Sequence, residues 1–177
     1  MNRQTIALNR EYTDYLPGKP ALMLLNIERE GMPPDIKRKL KDIGGVWEML
    51  VSLVPELATA AHVVHRRADA CLYREDTGED VAGADSLHIY VLVKDGGDIE
   101  RFLRDLHVRC RLHGFGWYAV GEAGQTIERS IVDVAAGAPT RLIRGDPEKC
   151  QPVVMEGLPL DTRAVFPPTI PNQTYKE

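Results

Sequence analysis

A chain of 177 residues with 44% hydrophobic and 27% charged side chains can bury one substantial core, which excludes a disordered or fibrous polypeptide and leaves little room for two full domains. Its formal charge of -4 excludes a histone-like coat of positive charge, although a local groove can be basic on an acidic whole. No apolar run reaches the roughly 18 residues of a bilayer span, and the polar start Met1-Asn2-Arg3-Gln4 lacks the regions of a signal peptide, so the expected compartment is the cytosol, with no membrane partner.

The opening segment closes on Leu16-Pro17-Gly18-Lys19-Pro20, an extended turn that launches a strand. Ala21 to Leu25 is a continuous apolar run suited to a strand covered on both faces, and it leads into Asn26-Ile27-Glu28, where polarity alternates and Asn26 and Glu28 share a face. Beyond Gly31-Met32-Pro33-Pro34, the spacing of Ile36, Leu40 and Ile43 after Asp35 predicts a short helix stopped by Gly44-Gly45. Val46, Met49, Leu50, Leu53 and Leu57 predict a second helix, with Pro55 marking a break or a new first turn.

Ala61 to His65 reads as a short strand, and the polar stretch from Glu75 to Gly83 as a loop before the strongest strand of the chain, Ser86 to Lys94. Ser86, His88, Tyr90 and Leu92 point one way there, while Leu87, Ile89, Val91 and Val93 point toward the core. Asp98 closes a turn and is placed to cap the next helix, which carries Phe102, Leu103, Leu106 and Cys110 on its apolar side. Arg101, Arg104, Arg109 and Arg111 decorate the remainder, either as a phosphate-attracting face or, the heavier reading, as simple solvation. Gly114 to Val120 and Thr126 to Asp133 predict a hairpin in which Arg129 and Asp133 project from the same face. Beyond Ala138 the chain, rich in proline and with little periodicity, reads as an extended covering arm that becomes a loose tail, with the domain division set at 1–150 and 151–177.

Three polar points therefore stand at or near strand ends: Asn26 with Glu28, Ser86 with His88, and Asp133. In that order they resemble the Asp-x-Asp, Ser-x-His and final hydrophobic-Asp strand motifs of the archaeo-eukaryotic primase superfamily, in particular its plasmid, phage and integrative-element members. Pro17-Gly18-Lys19-Pro20 before the first motif, Gly31-Met32-Pro33 after it, Asp76-Thr77-Gly78 before the second and Gly124 to Asp133 extend the likeness over roughly residues 15 to 160. The resemblance implies an α/β (α+β) primase-polymerase-like fold, with a mainly antiparallel mixed sheet flanked by helices and an RRM-like C-terminal half.

It also implies metal-dependent nucleotidyl transfer on a single-stranded DNA template during replication of a mobile element. The substrates are nucleoside triphosphates, the cofactor is Mg²⁺ or Mn²⁺, and a replicative helicase is among the partners such a domain serves. Glu28, His88 and Asp133 take the catalytic positions. Asn26, Glu28 and Asp133 take the metal positions, and Ser86, His88 and Arg129 contact the nucleotide. Carboxylates suit this chemistry because Mg²⁺ is hard and paired cations can stabilise both the attacking and the leaving oxygen.

The chain departs from the family pattern where it matters most, because Asn26 and Glu28 replace two aspartates. An amide oxygen coordinates without neutralising, and glutamate moves its carboxylate outward by one methylene. Arg67-Ala68-Asp69-Ala70 stands where many relatives carry a serine- and threonine-rich stretch. A catalytically silent remnant that binds DNA or a replication partner is therefore the alternative function.

Other chemistries fare worse. Cys71, Cys110 and Cys150 are odd in number and form no CxxC pair, so they read as buried or half-buried thiols, and His62, His65 and Cys71 match no familiar zinc spacing. Ser86, His88 and Asp133 as a hydrolytic triad lack a Gly-x-Ser-x-Gly elbow, and no phosphate loop of a helicase motor is encoded.

Overall fold

The strict apolar alternation from Leu87 onward builds the central strand of the molecule. The computed structural model describes residues 14–29, 31–66, 87–140 and 156–166. Within them, β1 (Ala21–Ile27), β2 (His62–Arg66) and β3 (Leu87–Val93) form an antiparallel sheet in the order β1-β3-β2. Met23, Leu25, Ile27, Ile89, Val91 and Val93 face inward and are almost wholly buried, because a period of two sends every second side chain to the covered face. Ser86, expected to begin the central strand, lies outside the described residues, as do the loop from Glu75 to Gly83, Arg67 to Ala70, Cys71 and Cys150.

Two short helices follow β1 as their periodicity predicts. In α1 (Pro34–Asp42) Ile36 and Leu40 are buried, and Ile43 caps the end instead of lying in the core. Gly44 and Gly45 both take positive φ, which stops α1 at no steric cost. Then α2 (Val46–Leu53) buries Val46, Met49, Leu50 and Leu53, and Pro55 opens a separate 3₁₀ turn, Pro55–Thr59, that buries Leu57. Proline is tolerated there because the first N–H of a helical turn has no partner in any case.

The long helix α3 (Ile99–Leu112) lays Ile99, Phe102, Leu103, Leu106 and Cys110 into the core. Burial pushes the Cys110 thiol up to about 12, so it is a packing group and not a nucleophile. The helix leads into the hairpin β4 (Gly116–Val120) and β5 (Thr126–Ser130), a second antiparallel sheet. The specific architecture is thus α+β, with small antiparallel sheets and helices. Among the described residues no helix is long and apolar enough to cross a membrane.

Two expectations on α3 need correction. Asp98 stands at the N-cap position of α3, but its side chain makes no capping bond: the carboxylate accepts two bonds from Arg101, Nε at 2.7 Å and a terminal nitrogen at 2.6 Å, and one from Thr162 Oγ1 at 2.5 Å. The arginines, read chiefly as simple solvation, are mostly held by the fold instead. Arg101 also grips Asp105, Arg109 donates to the Leu53 carbonyl and covers the Phe166 ring, and Arg111 pairs with Glu128 and stacks on Tyr118. Three of those four charges are therefore spent on internal contacts, and Arg104 is exposed.

The segment read as an arm does cover the body where it is described. Leu158 and Leu160 make parallel bridges to Ala60 and Val93, Leu160 enters the core, and the single turn α4 (Thr162–Val165) places Thr162 over Asp98. Pro152, Pro167, Pro168 and Pro171 lie outside the described residues. Gly157 makes this approach possible. It sits at φ +120°, and a Cβ there would stand 2.7 Å from the Ala61 nitrogen and 2.8 Å from the Thr59 carbonyl oxygen. Gly157→Ala is expected to cost about 1–3 kcal/mol through strain and backbone contact together, read as a lowered thermal midpoint.

Candidate functional site

Beyond Ser130 the chain leaves its hairpin partner and joins β1, and this transfer builds the site. The Glu28 N–H donates to the Ile131 carbonyl at 3.0 Å, the Asp133 N–H donates to the Asn26 carbonyl at 3.0 Å, and Ile27 bridges Val132. Ser130 holds the crossing in shape. Its Oγ donates to the Val132 carbonyl, accepts from the Val132 N–H and lies 2.9 Å from His107 Nδ1. Burial makes the His107 imidazole harder to protonate than usual, so a neutral ring stands behind this bend.

That register carries Asp133 to the C-terminal end of β1, beside Asn26. Asn26 Nδ2 donates to Asp133 Oδ2 at 3.1 Å, and Asp133 Oδ1 accepts the Ala135 N–H at 2.9 Å. Two residues on from Asn26, Glu28 Oε2 accepts from Arg129 at 2.7 Å. On the other side Asn26 lies opposite His88 in the β1–β3 register, and His88 lies opposite His65 in β2. His88 is buried and meets Tyr90 edge to face at 6.2 Å. The strand alternation thus delivers Asn26 and His88 to the sheet face opposite the one that carries Leu25, Ile27 and Ile89.

Of the residues singled out in the sequence, Asn26, Glu28, Asp133 and Arg129 are brought together by direct bonds, and His88 adjoins them across one strand pair. Ser86 lies outside the described residues. His62 belongs elsewhere, stacked on Trp47 at 3.9 Å and bonded to the Ala60 carbonyl. Two participants were not visible in the sequence, Ser130 and His107, which fix the bend that presents Asp133. A serine ending a strand and a histidine on the half-polar side of a helix carry no local signal for such a role.

The donor chemistry can be tested against a divalent cation. Asn26 is only 3% exposed, and its Oδ1 is buried with no hydrogen-bond partner. A carboxylate only accepts, so the amide must turn its nitrogen toward Asp133 and leave that oxygen vacant. Both Asp133 oxygens already hold N–H donors, however, and Glu28 holds a guanidinium. Among the described residues no group of three or more His, Cys, Asp or Glu side chains is arranged to hold a metal ion. As arranged, the residues do not fit a two-cation centre.

Comparisons of the chain with protein-family models, with curated proteins and with solved structures return no match.

Proposed function

We propose that this chain is a primase-polymerase-type nucleotidyltransferase domain of a mobile-element replication protein, acting on nucleoside triphosphates along a single-stranded DNA template. One observation supports the reading above all others: Asn26, Glu28, His88, Asp133 and Arg129, drawn from three distant stretches of sequence, meet at one end of a sheet. In this reading His88 and Arg129 meet the phosphates of the incoming nucleotide, with Ser86 supporting the same strand. Arg129 suits that task because its guanidinium stays charged and offers five donors, only one of which is needed by Glu28. The Mg²⁺ or Mn²⁺ that this reading implies would fall to Glu28 and Asp133, whose oxygens are here engaged by Arg129, Asn26 and the Ala135 N–H, and Asn26 adds no charge.

The test is nucleotide incorporation on single-stranded DNA with Mg²⁺ or Mn²⁺. His88→Ala and Asp133→Ala are each expected to reduce the rate about tenfold or more while leaving the fold intact by circular dichroism. Wild-type rates in both variants would reject the assigned site.

A second reading has its own support. Asp133 accepts from Asn26 and from the Ala135 N–H, and Glu28 accepts from Arg129, an internally bonded arrangement that suits a catalytically silent remnant binding DNA or a replication partner such as a helicase. Its signature is DNA binding that weakens steadily with added salt, since phosphate neutralisation releases counterions, accompanied by no synthesis in either metal.

A further inference from the structure

On a chain of net charge -4, the short helix α1 carries four cations, Lys37, Arg38, Lys39 and Lys41, all of them exposed. Lys39 is engaged by the fold: its Nζ donates to the His113 carbonyl at 2.5 Å and stands over the Phe115 ring at 4.3 Å, which ties α1 to the turn between α3 and β4. The other three are not. Ile36 and Leu40 turn one side of α1 into the core, and the helical period sets Lys37, Lys41 and Arg38 next to one another away from it. Arg38 has Asp35 and Asp42 within one turn, yet among the described residues the side chains of Lys37, Arg38 and Lys41 enter no hydrogen bond or ion pair. Lys41 complements the negative end of the helix dipole, but Lys37 does not, and like charges one turn apart weaken a helix. Nothing within the fold rewards this row of charge, in contrast to the arginines of α3.

We infer that Lys37, Arg38 and Lys41 form a phosphate-contacting surface for single-stranded nucleic acid, whose backbone supplies the anions that the fold does not. The inference rests on the DNA binding that both functional readings share, and it locates the strand on α1. A phosphodiester backbone repeats its negative charge at every nucleotide, which suits a row of cations that makes no demand on base identity. A lipid surface, the other common polyanion, fits less well. Binding in a membrane interface needs a free apolar face, and α1 spends its only isoleucine and leucine on the core.

Titrating a fluorescent single-stranded oligonucleotide with the full chain over a series of salt concentrations tests this without any catalysis. Lys37→Gln, Arg38→Gln and Lys41→Gln together are expected to weaken binding about tenfold or more at low salt. They should also flatten the slope of log affinity against log salt by about 2, since each phosphate contact on a single strand contributes about 0.7. Should the triple variant fail to fold, Lys37→Gln alone is expected to flatten the slope by about 0.7. The same charge removed around the start of β1, by Lys19→Gln, Lys94→Gln and Arg163→Gln together, should leave the slope unchanged. An unaltered slope in the α1 variant, or an equal loss in both triple variants, overturns the inference while strand binding itself stands. If the α1 variant loses binding to phosphatidylserine vesicles and keeps that to the oligonucleotide, the face belongs to a membrane and the inference is overturned. Absence of oligonucleotide binding by wild type at every salt concentration sinks the inference together with the DNA-binding readings beneath it.

Discussion

Phe102→Ala is expected to destabilise the protein by about 3–5 kcal/mol, measured as a drop in the urea midpoint at unchanged slope. Phe102 is fully buried on the inner face of α3, among the largest side chains of the core. Its deletion removes transfer free energy and leaves a cavity that Leu103 and Leu106, fixed on the same helix, are poorly placed to fill. A second loss is added at the C-terminal segment. The Phe102 ring lies 5.0 Å from that of Phe166 at a 40° tilt, and Phe166 is covered on another side by the Arg109 guanidinium at 4.6 Å. Removing Phe102 unseats the ring that α4 delivers to the core, so the cost should fall near the upper part of the range. A loss under about 1 kcal/mol would mean that the helix and the C-terminal segment repack freely, contrary to the geometry described.

The second large effect is expected at Asp98. Asp98→Ala should cost about 2–4 kcal/mol near neutral pH, because a buried carboxylate with three bonds is lost and Arg101 keeps only Asp105 and the Thr162 carbonyl. The pH dependence distinguishes this from a mere packing defect. Burial by itself would raise the Asp98 carboxyl, but hydrogen bonds from Arg101 and Thr162 and the charge of Arg101 outweigh it and hold the group below the usual carboxylate value. A native value below the unfolded one means that the unfolded chain binds the proton more tightly. The stabilisation is therefore complete above the unfolded value of about 3.9 and fades as pH falls through the lower native one. The gap in urea midpoint between wild type and Asp98→Ala should accordingly be wide near neutrality and narrow steadily below about pH 4. A gap independent of pH would assign the residue's contribution to shape instead of charge.

Asp98 also illustrates where sequence reasoning stops. An aspartate before an acidic first turn is a good capping signal, and the signal is local, whereas Thr162 is 64 residues away and competes successfully for the same oxygens. The arginines of α3 tell the same story: a helical wheel shows which side is polar, but not that the Leu53 carbonyl, Phe166 and Glu128 will be waiting there. By contrast β3 was legible because alternation is a property of the strand alone, and α1 was legible because Gly44 and Gly45 end it without help from elsewhere. At the candidate site, the order of Asn26, Glu28, His88 and Asp133 along the chain could be read directly. Their mutual bonds could not, since these depend on the register between β1 and the residues beyond Ser130, and a shift of one residue would send Asp133 to the opposite face.

The stitching of Leu158 and Leu160 to Ala60 and Val93 has a consequence for biosynthesis. Pairings that span so much of the chain are the slow, entropically costly ones, and a polypeptide emerging from the ribosome acquires its early strands long before the stretch that seals them. Until Leu160 and Phe166 arrive, the greasy flank of Val93 and Phe102 faces water, so during translation this is the surface on which a holdase would have most to protect.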